Sequence, residues 1–410
     1  EVNRSMSEER QDLYKSETYQ YPLPEDRIAC FPLPARDQSK LLIYKDGMIQ
    51  QDIFVRLSDY LPKGSLLVFN DTKVIPARLL FRKKTGAVIE IFCLDPYDPS
   101  EYSIAFGQHR ECKWKCLIGN RKRWKDGPME DVRESGHGKV HLTATLEDTE
   151  RESIVRFTWD NPHYSFAEVL TLFGIVPLPP YLKREAEELD RERYQTIYAR
   201  NNGSVAAPTA GLHFTQRVFS SLNEKGILSA HLTLHVAAGT FQPVKHKDIR
   251  EHDMHTEHFS VTRDLITQLA NHDGPVIPVG TTSVRTLESL YILGTNVLAG
   301  KLAEDHLLTE QWEWENIRKA VPRKEALEAL ANWMREKGME RLFASTRLMI
   351  IPGYRFSLAD AMITNFHQPG STLLMLVAAY TGKDWKKIYS YALENGFRFL
   401  SYGDACLLFR

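Results

Sequence analysis

The feature that most constrains the fold lies between Val74 and about Trp159. On either side of it strand-like and helix-like patterns alternate; within it no stretch has a long helical period. Short β-rich runs recur instead, at 77–82, 87–93, 114–118, 139–146 and 153–159. Turn signals such as Lys84-Thr85-Gly86 and Lys125-Asp126-Gly127 separate them. Five or six strands at that spacing predict a small antiparallel β-barrel. The flanks predict a different architecture. Residues 41–44 and 48–49 form a hairpin about Asp46-Gly47, and 65–69 is a buried strand. After the barrel come a helix at 165–173, a rigid proline segment at 177–181 and a charged, solvated stretch at 184–198. A helix at 215–226, a strand at 231–236, a helix at 262–271, a strand at 276–279 and a helix from Ser283 follow. Residues 296–345, with Trp312, Trp314 and Trp333, read as helical. Strands at 348–351 and 362–366, helices at 371–380 and 385–395, and a strand at 405–409 complete the chain. The alternation predicts a layered α/β domain, discontinuous over 1–74 and 160–410 with a helical insertion at 296–345, interrupted by a barrel domain at 75–159. Residues 1–20 read as a polar tail or first helix.

Charge limits the partners. Lys plus Arg number 52 and Asp plus Glu 53 in 410 residues, a net charge of −1. That excludes a globally basic surface for nucleic acid and leaves room for a local one. Seven basic residues (Arg110, Lys113, Lys115, Arg121, Lys122, Arg123 and Lys125) face only Glu111 in one stretch of the barrel, with Trp114 and Trp124 interleaved. They are a candidate phosphate contact. No apolar run approaches the roughly 18 residues of a membrane span. The charged first residues are no secretory signal. Five cysteines at wide spacing suggest no disulfide framework, which points to the cytoplasm. Cys112 and Cys116 lack a second pair, so they read as small residues on a strand face rather than a metal site.

Candidate chemistry sits in loops that follow apolar strands, where ligands of open α/β sheets bind. The first runs from Gly203 through Thr209, Gly211, His213 and Phe214 to Thr215, small residues followed by a titratable ring and an aromatic face. The second follows a strand whose His231, Thr233 and His235 share one face, in most such strands the solvent face. The third holds His252, His255, Glu257 and His258, groups suited to proton transfer; their spacing matches no zinc signature. The fourth, Gly280-Thr281-Thr282-Ser283 leading to Arg285 and Glu288, opens a helix whose free N–H groups favour a carboxylate or sugar oxygen, unless Ser283 and Thr286 merely cap it. The fifth, Thr364-Asn365-Phe366-His367-Gln368, can read and stack on a heterocycle. The sixth is Ser401-Tyr402-Gly403-Asp404. No glycine fingerprint for a dinucleotide is present.

Taken in order, 67–79, 177–181, 194–196, 203–215, 233–236, 239–241, 254–257, 280–288, 352–354, 364–367 and 401–404 closely resemble the S-adenosylmethionine:tRNA ribosyltransferase-isomerase family of queuosine biosynthesis, over about 21–410. The resemblance implies an α/β/α sandwich with an inserted small antiparallel β-barrel. It also implies transfer and isomerisation of the ribosyl unit of S-adenosylmethionine onto 7-aminomethyl-7-deazaguanine at the tRNA wobble position. The products are epoxyqueuosine-tRNA, adenine and methionine. On this basis His213, His235, His255, Glu257 and His367 are expected around the reacting ribose. Thr209, Gly211, Gly239, Thr240, Thr281, Thr282 and Arg285 are expected to hold the donor, with Phe214, Asn365 and Phe366 against a base. Arg121, Lys122, Arg123 and Lys125 are expected on the anticodon arm. No metal or cofactor is expected beyond the donor substrate, and no membrane; a cytoplasmic monomer is. Two departures stand out: Ala237 replaces a usual glycine, and 296–345 looks long. They leave open a paralogue with another acceptor, beside a methyltransferase and a non-catalytic RNA-binding protein.

Overall fold

The computed structural model describes residues 10–125, 127–149, 152–236 and 243–410. Leu66–Asn70 is buried at every position, as expected for an uninterrupted apolar run in the middle of a sheet. It lies second in a six-stranded sheet ordered Val276–Pro278, Leu66–Asn70, Leu228–His235, Glu257–Thr262, Arg341–Thr346, Leu308–Thr309. The first three run parallel and the next two pair antiparallel. A second sheet is ordered Ala361–Asn365, Ala405–Phe409, Lys40–Lys45, Met48–Ile53, its last pair being the expected hairpin. A parallel bridge between Val279 and Ile363 joins the two sheets, and the Gly280 N–H donates to the Ile363 carbonyl at 2.7 Å. Four strands, ending at Asn70, His235, Pro278 and Asn365, therefore run the same way and bring their carboxyl ends together. Helix Thr281–Leu298 follows one of them and is buried without break from Thr281 to Gly294. Apolar side chains on both sides of the sheets make this a layered α/β sandwich.

Residues 78–159 form a six-stranded antiparallel sheet, ordered Arg78–Arg82, Val88–Asp98, Glu111–Gly119, Ile154–Trp159, Gly138–Leu146, Met129–Ser135. Its first and last strands approach each other, so the barrel is nearly closed. Alternate residues fill it: Ile89, Ile91 and Cys93; Cys112, Trp114 and Cys116; Val140, Leu142 and Ala144. That two-residue period is what a small barrel's inner wall requires. Cys93 faces Cys116 across the ladder, and burial pushes the Cys112 and Cys116 thiols far above their ordinary value. They are apolar filling, and no cluster suited to a metal occurs among the described residues. The sequence reading missed Met129–Ser135, an edge strand whose charged residues are largely exposed.

Several expectations need correction. The stretch 296–345 is not a helical insertion. Only Arg323–Glu336 is a long helix, while Leu308–Thr309 and Arg341–Thr346 are strands of the central sheet. Leu342, Ala344 and Thr346 are buried in alternation, a strand period hidden among helix-forming charges. Residues 348–351 are buried but pair with no strand among the described residues. The charged stretch 184–198 is not solvated throughout: Asp190 is buried, held by Arg184 at 2.8 Å and the Tyr402 hydroxyl at 2.7 Å. Of the presumed tail, Tyr19 is already buried. No described helix is long and apolar enough to cross a membrane.

Candidate active site

Where the four parallel strands end, a cavity of about 70 Å³ is lined by 206–210, Gly280, Thr281, Thr282, Asn365, Phe366, His367, Ser371 and Ser401. Gly280, at φ 90°, precedes helix Thr281–Leu298 without any side-chain cap, which leaves first-turn N–H groups at the wall. Ser283 and Thr286 do not cap it. The Thr286 hydroxyl donates to the Thr282 carbonyl at 2.9 Å, and the Ser283 hydroxyl is buried without a partner. Ser371, which does cap helix Thr372–Thr381, lines the same cavity. Two helix N-termini at one small cavity favour an anionic group such as a carboxylate. Thr209, Thr281, Thr282, Asn365 and His367 all line this cavity.

Other expected members are placed elsewhere. The Phe214 ring is buried against Phe54, Phe69 and Phe219. The Phe366 ring is buried against Tyr389, Phe397 and Phe399. Both rings pack in the core; Phe366 still forms part of the cavity wall, whereas Phe214 does not. Gly211 serves packing, since a Cβ there would come within 2.0 Å of the Tyr198 hydroxyl. Arg285 forms a buried ion pair with Glu257, so neither is a free anion clamp or base. Gly239 and Thr240, with Ala237, lie outside the described residues.

The histidines divide by tautomer. His213 is buried with Nε2 2.7 Å from Asn365 Oδ1 and Nδ1 2.7 Å from Ser39 Oγ. The Asn365 amide nitrogen donates to the Leu400 and Ser401 carbonyls, so its oxygen faces the ring. His213 Nε2 therefore carries the proton, Nδ1 accepts from Ser39, and burial lowers the pKa. His213 braces the cavity wall and does not line the cavity. His367 does line it, with Nε2 2.8 Å from the Thr364 hydroxyl, and burial pulls its pKa to about 3.

His235 and His255 line a different concavity, an open cleft of about 820 Å³ between barrel residues 95–102 and the sheet residues 258–260 and 343–345. The His235 ring stacks on Tyr102, centroids 4.3 Å apart and planes at 3°. Its Nδ1 lies 3.0 Å from the Gly203 carbonyl. A carbonyl only accepts, so Nδ1 bears the proton and Nε2 keeps its lone pair. Burial lowers the pKa to about 4, which keeps the ring neutral. Gly203 is obligatory here: a Cβ would stand 2.1 Å from Nδ1. The strand's polar face does not meet solvent as expected, because the paired segments Thr72–Val74 and Asn201–Ser204 cover it. Thr233 donates to Asp71 at 2.7 Å, and Asn201 donates to both Asp71 oxygens at 3.1 and 3.2 Å. Asp71 was missed by the sequence reading, although the polar Asn70-Asp71-Thr72 at a strand end marks it. Tyr102, Tyr97 and Phe343 carry no such mark. Consecutive residues divide the two spaces: His235 lines the cleft and Val236 the cavity.

The basic stretch is only partly free. Lys113 pairs with Glu147 at 2.9 Å, Lys115 with Glu152 at 3.0 Å, and Arg121 with Asp148. Lys122, Arg123 and Lys125 have no ion pair among the described residues, and with Lys83 they line a shallow concavity on the barrel.

The chain matches the family model described as "Queuosine biosynthesis protein" over residues 16–408. An S-adenosylmethionine:tRNA ribosyltransferase-isomerase of Syntrophomonas wolfei is 37% identical over 407 residues, 98% of this chain and 99% of that protein. Its counterpart from Halothermothrix orenii is 39% identical over 402 residues, 96% of this chain and 99% of that protein. A crystal structure of S-adenosylmethionine tRNA ribosyltransferase from Thermotoga maritima is 27% identical, covering 95% of this chain and 99% of that one, with a TM-score of 0.44. With the family matched over nearly its whole length and near-complete relatives above 35% identity, this chain belongs to the queuosine biosynthesis protein family.

Proposed function

We propose that this chain is an S-adenosylmethionine:tRNA ribosyltransferase-isomerase. It moves the ribosyl unit of S-adenosylmethionine onto 7-aminomethyl-7-deazaguanine at the tRNA wobble position, giving epoxyqueuosine-tRNA, adenine and methionine. The observation that supports this reading best is the presence of a small cavity and a wide cleft lined by consecutive residues of one strand, Val236 in the first and His235 in the second. The carboxylate end of the donor suits the first, and a base carried on a large RNA suits the second.

In this reading the methionine carboxylate sits at the N-termini of helices Thr281–Leu298 and Thr372–Thr381. The cleft's Asp95, Glu101, Glu304 and Asp305 repel phosphate and accept from the N–H donors of a guanine-like base and its aminomethyl group. Tyr97 and Phe343, 44% and 59% exposed at the cleft, offer rings for an unstacked base. Lys83, Lys122, Arg123 and Lys125 take backbone phosphates of the anticodon arm.

The sulfonium acidifies the donor's C5′ hydrogens. A base removes one proton there, and the electron pair left on C5′ forms a bond to C1′. C1′ gives up adenine, which gains a proton, and the ring oxygen, and takes the aminomethyl nitrogen, which loses a proton. The freed ring oxygen on C4′ bonds to C5′ and displaces methionine with its sulfur, closing the epoxide. His235, neutral with its Nε2 lone pair free and lining the cleft, is the group assigned to proton transfer. No metal or further cofactor takes part, and the protein works as a cytoplasmic monomer.

Incubation with S-adenosylmethionine and precursor-bearing tRNA tests this. The expected result is free adenine with a matching gain in tRNA mass. S-adenosylhomocysteine would indicate methyl transfer instead, adenine without that tRNA mass gain another acceptor, and binding without turnover a non-catalytic protein.

A further inference from the structure

We infer that Arg36, Arg193 and Arg398 form a second anion site, taking one oxygen of a phosphate behind the His213 wall of the donor cavity. The three line a concavity with Ser39, His213 and Ser401, whose enclosed part is about 20 Å³. That is room for one oxygen-sized atom, too little for a ring.

The hydrogen-bond partners of the guanidinium groups are backbone carbonyls. Arg36 donates to the Gln195 and Glu192 carbonyls at 2.5 and 2.9 Å, Arg193 to the Leu33 and Pro34 carbonyls at 2.5 and 3.4 Å, and Arg398 to the Phe31 and Tyr402 carbonyls at 3.2 and 3.1 Å. Arg36 and Arg193 have no ion pair among the described residues, and Arg398 reaches Asp404 only at 3.9 Å. Other half-buried arginines differ: Arg78, Arg184 and Arg323 meet carboxylates at 2.7, 2.8 and 2.7 Å. Burial, and then the neighbouring Arg193 charge, lower the Arg36 pKa. Three cations gathered in a partly dry concavity face one nearby carboxylate, Asp404, and the excess charge is relieved by an anion. Each guanidinium has five N–H donors, so those not used by carbonyls can meet a phosphate's remaining oxygens at the mouth. Ser401 lines both this concavity and the donor cavity.

The site goes beyond the transferase reading, and its first test needs neither substrate. The full chain is titrated with inorganic phosphate at constant ionic strength and followed by calorimetry. Saturable binding is expected, weakened about tenfold or more by Arg193→Gln and by Arg36→Gln. An anticodon stem-loop RNA then separates the two phosphate sources. If an RNA phosphodiester fills the site, inorganic phosphate competes with RNA and Arg193→Gln lowers the salt slope of RNA binding by about 0.9. Saturable phosphate binding without competition assigns free phosphate. Wild-type protein that prefers phosphate no more than chloride overturns the site. So does phosphate binding that persists in both arginine variants, which places the anion elsewhere.

Discussion

The small cavity and the wide cleft are built from opposite materials. The cavity is walled by strand ends, helix N-termini and small residues, so backbone N–H groups supply most of its chemistry. The cleft is walled by carboxylates, imidazoles and exposed rings that come from the barrel and from the middle of the sheet. A backbone-built site is rigid and reads charge; a side-chain-built site is wide and reads hydrogen-bond pattern and shape. The contrast matches a donor anchored by its carboxylate end and a large acceptor admitted from outside.

The largest effect is expected at His235 in the cleft. His235→Gln should lower kcat by about 10²–10⁴, because glutamine can still donate to the Gly203 carbonyl but cannot transfer a proton. Equilibrium binding of S-adenosylmethionine and of tRNA should change little. An unchanged kcat would remove the chemistry from His235. A smaller effect is expected on the barrel. Converting Lys122, Arg123 and Lys125 to Glu should weaken tRNA binding and reduce its salt slope by roughly two to three. Arg121→Ala, which removes a residue already paired with Asp148, should do far less. Equal effects would dissolve the distinction between free and paired bases.

The smallest effect concerns stability. His235 and His367 have pKa values of about 4 and about 3 in the fold, below the ordinary value near 6.5. Between those values the unfolded chain binds more protons than the folded one. Their contribution is fully present above about pH 6.5 and is lost as pH falls toward 4 and then 3. Thermal unfolding across that window should show Tm falling with acid, more shallowly in His235→Gln.

The same contrast explains what the sequence revealed. The cavity lies in contiguous runs such as Gly280-Thr281-Thr282 and Asn365-Phe366-His367, where an apolar strand stops at polar residues, so its members were found. The cleft joins 95–102, 235, 255–260 and 343–345 only in three dimensions; Tyr102 and Phe343 look like ordinary strand-rich chain. Errors arose where one residue type serves two ends. Phe214 and Phe366 look like stacking rings but fill the core, and His213 looks like a base but orients Asn365. Arg285 looks like an anion clamp, yet Glu257 has already neutralised it. Strand Arg341–Thr346 was hidden because its alternation is only six residues long beside a strongly charged helix.

The division of labour between the two spaces is tested most directly by one pair of variants. Thr282→Asp puts a carboxylate at the uncapped helix N-terminus, a position that favours it, so the fold is kept while the donor's carboxylate meets a like charge. Phe343→Ala removes an exposed ring from the cleft. Steady-state kinetics with both substrates varied should give a clean split. Thr282→Asp is expected to raise KM for S-adenosylmethionine by about tenfold or more, leaving that for tRNA unchanged. Phe343→Ala is expected to raise KM for tRNA by about fivefold or more, leaving the donor's unchanged. Variants that both raise the KM of the same substrate, or a reversed split, would contradict the assignment of donor to cavity and acceptor to cleft.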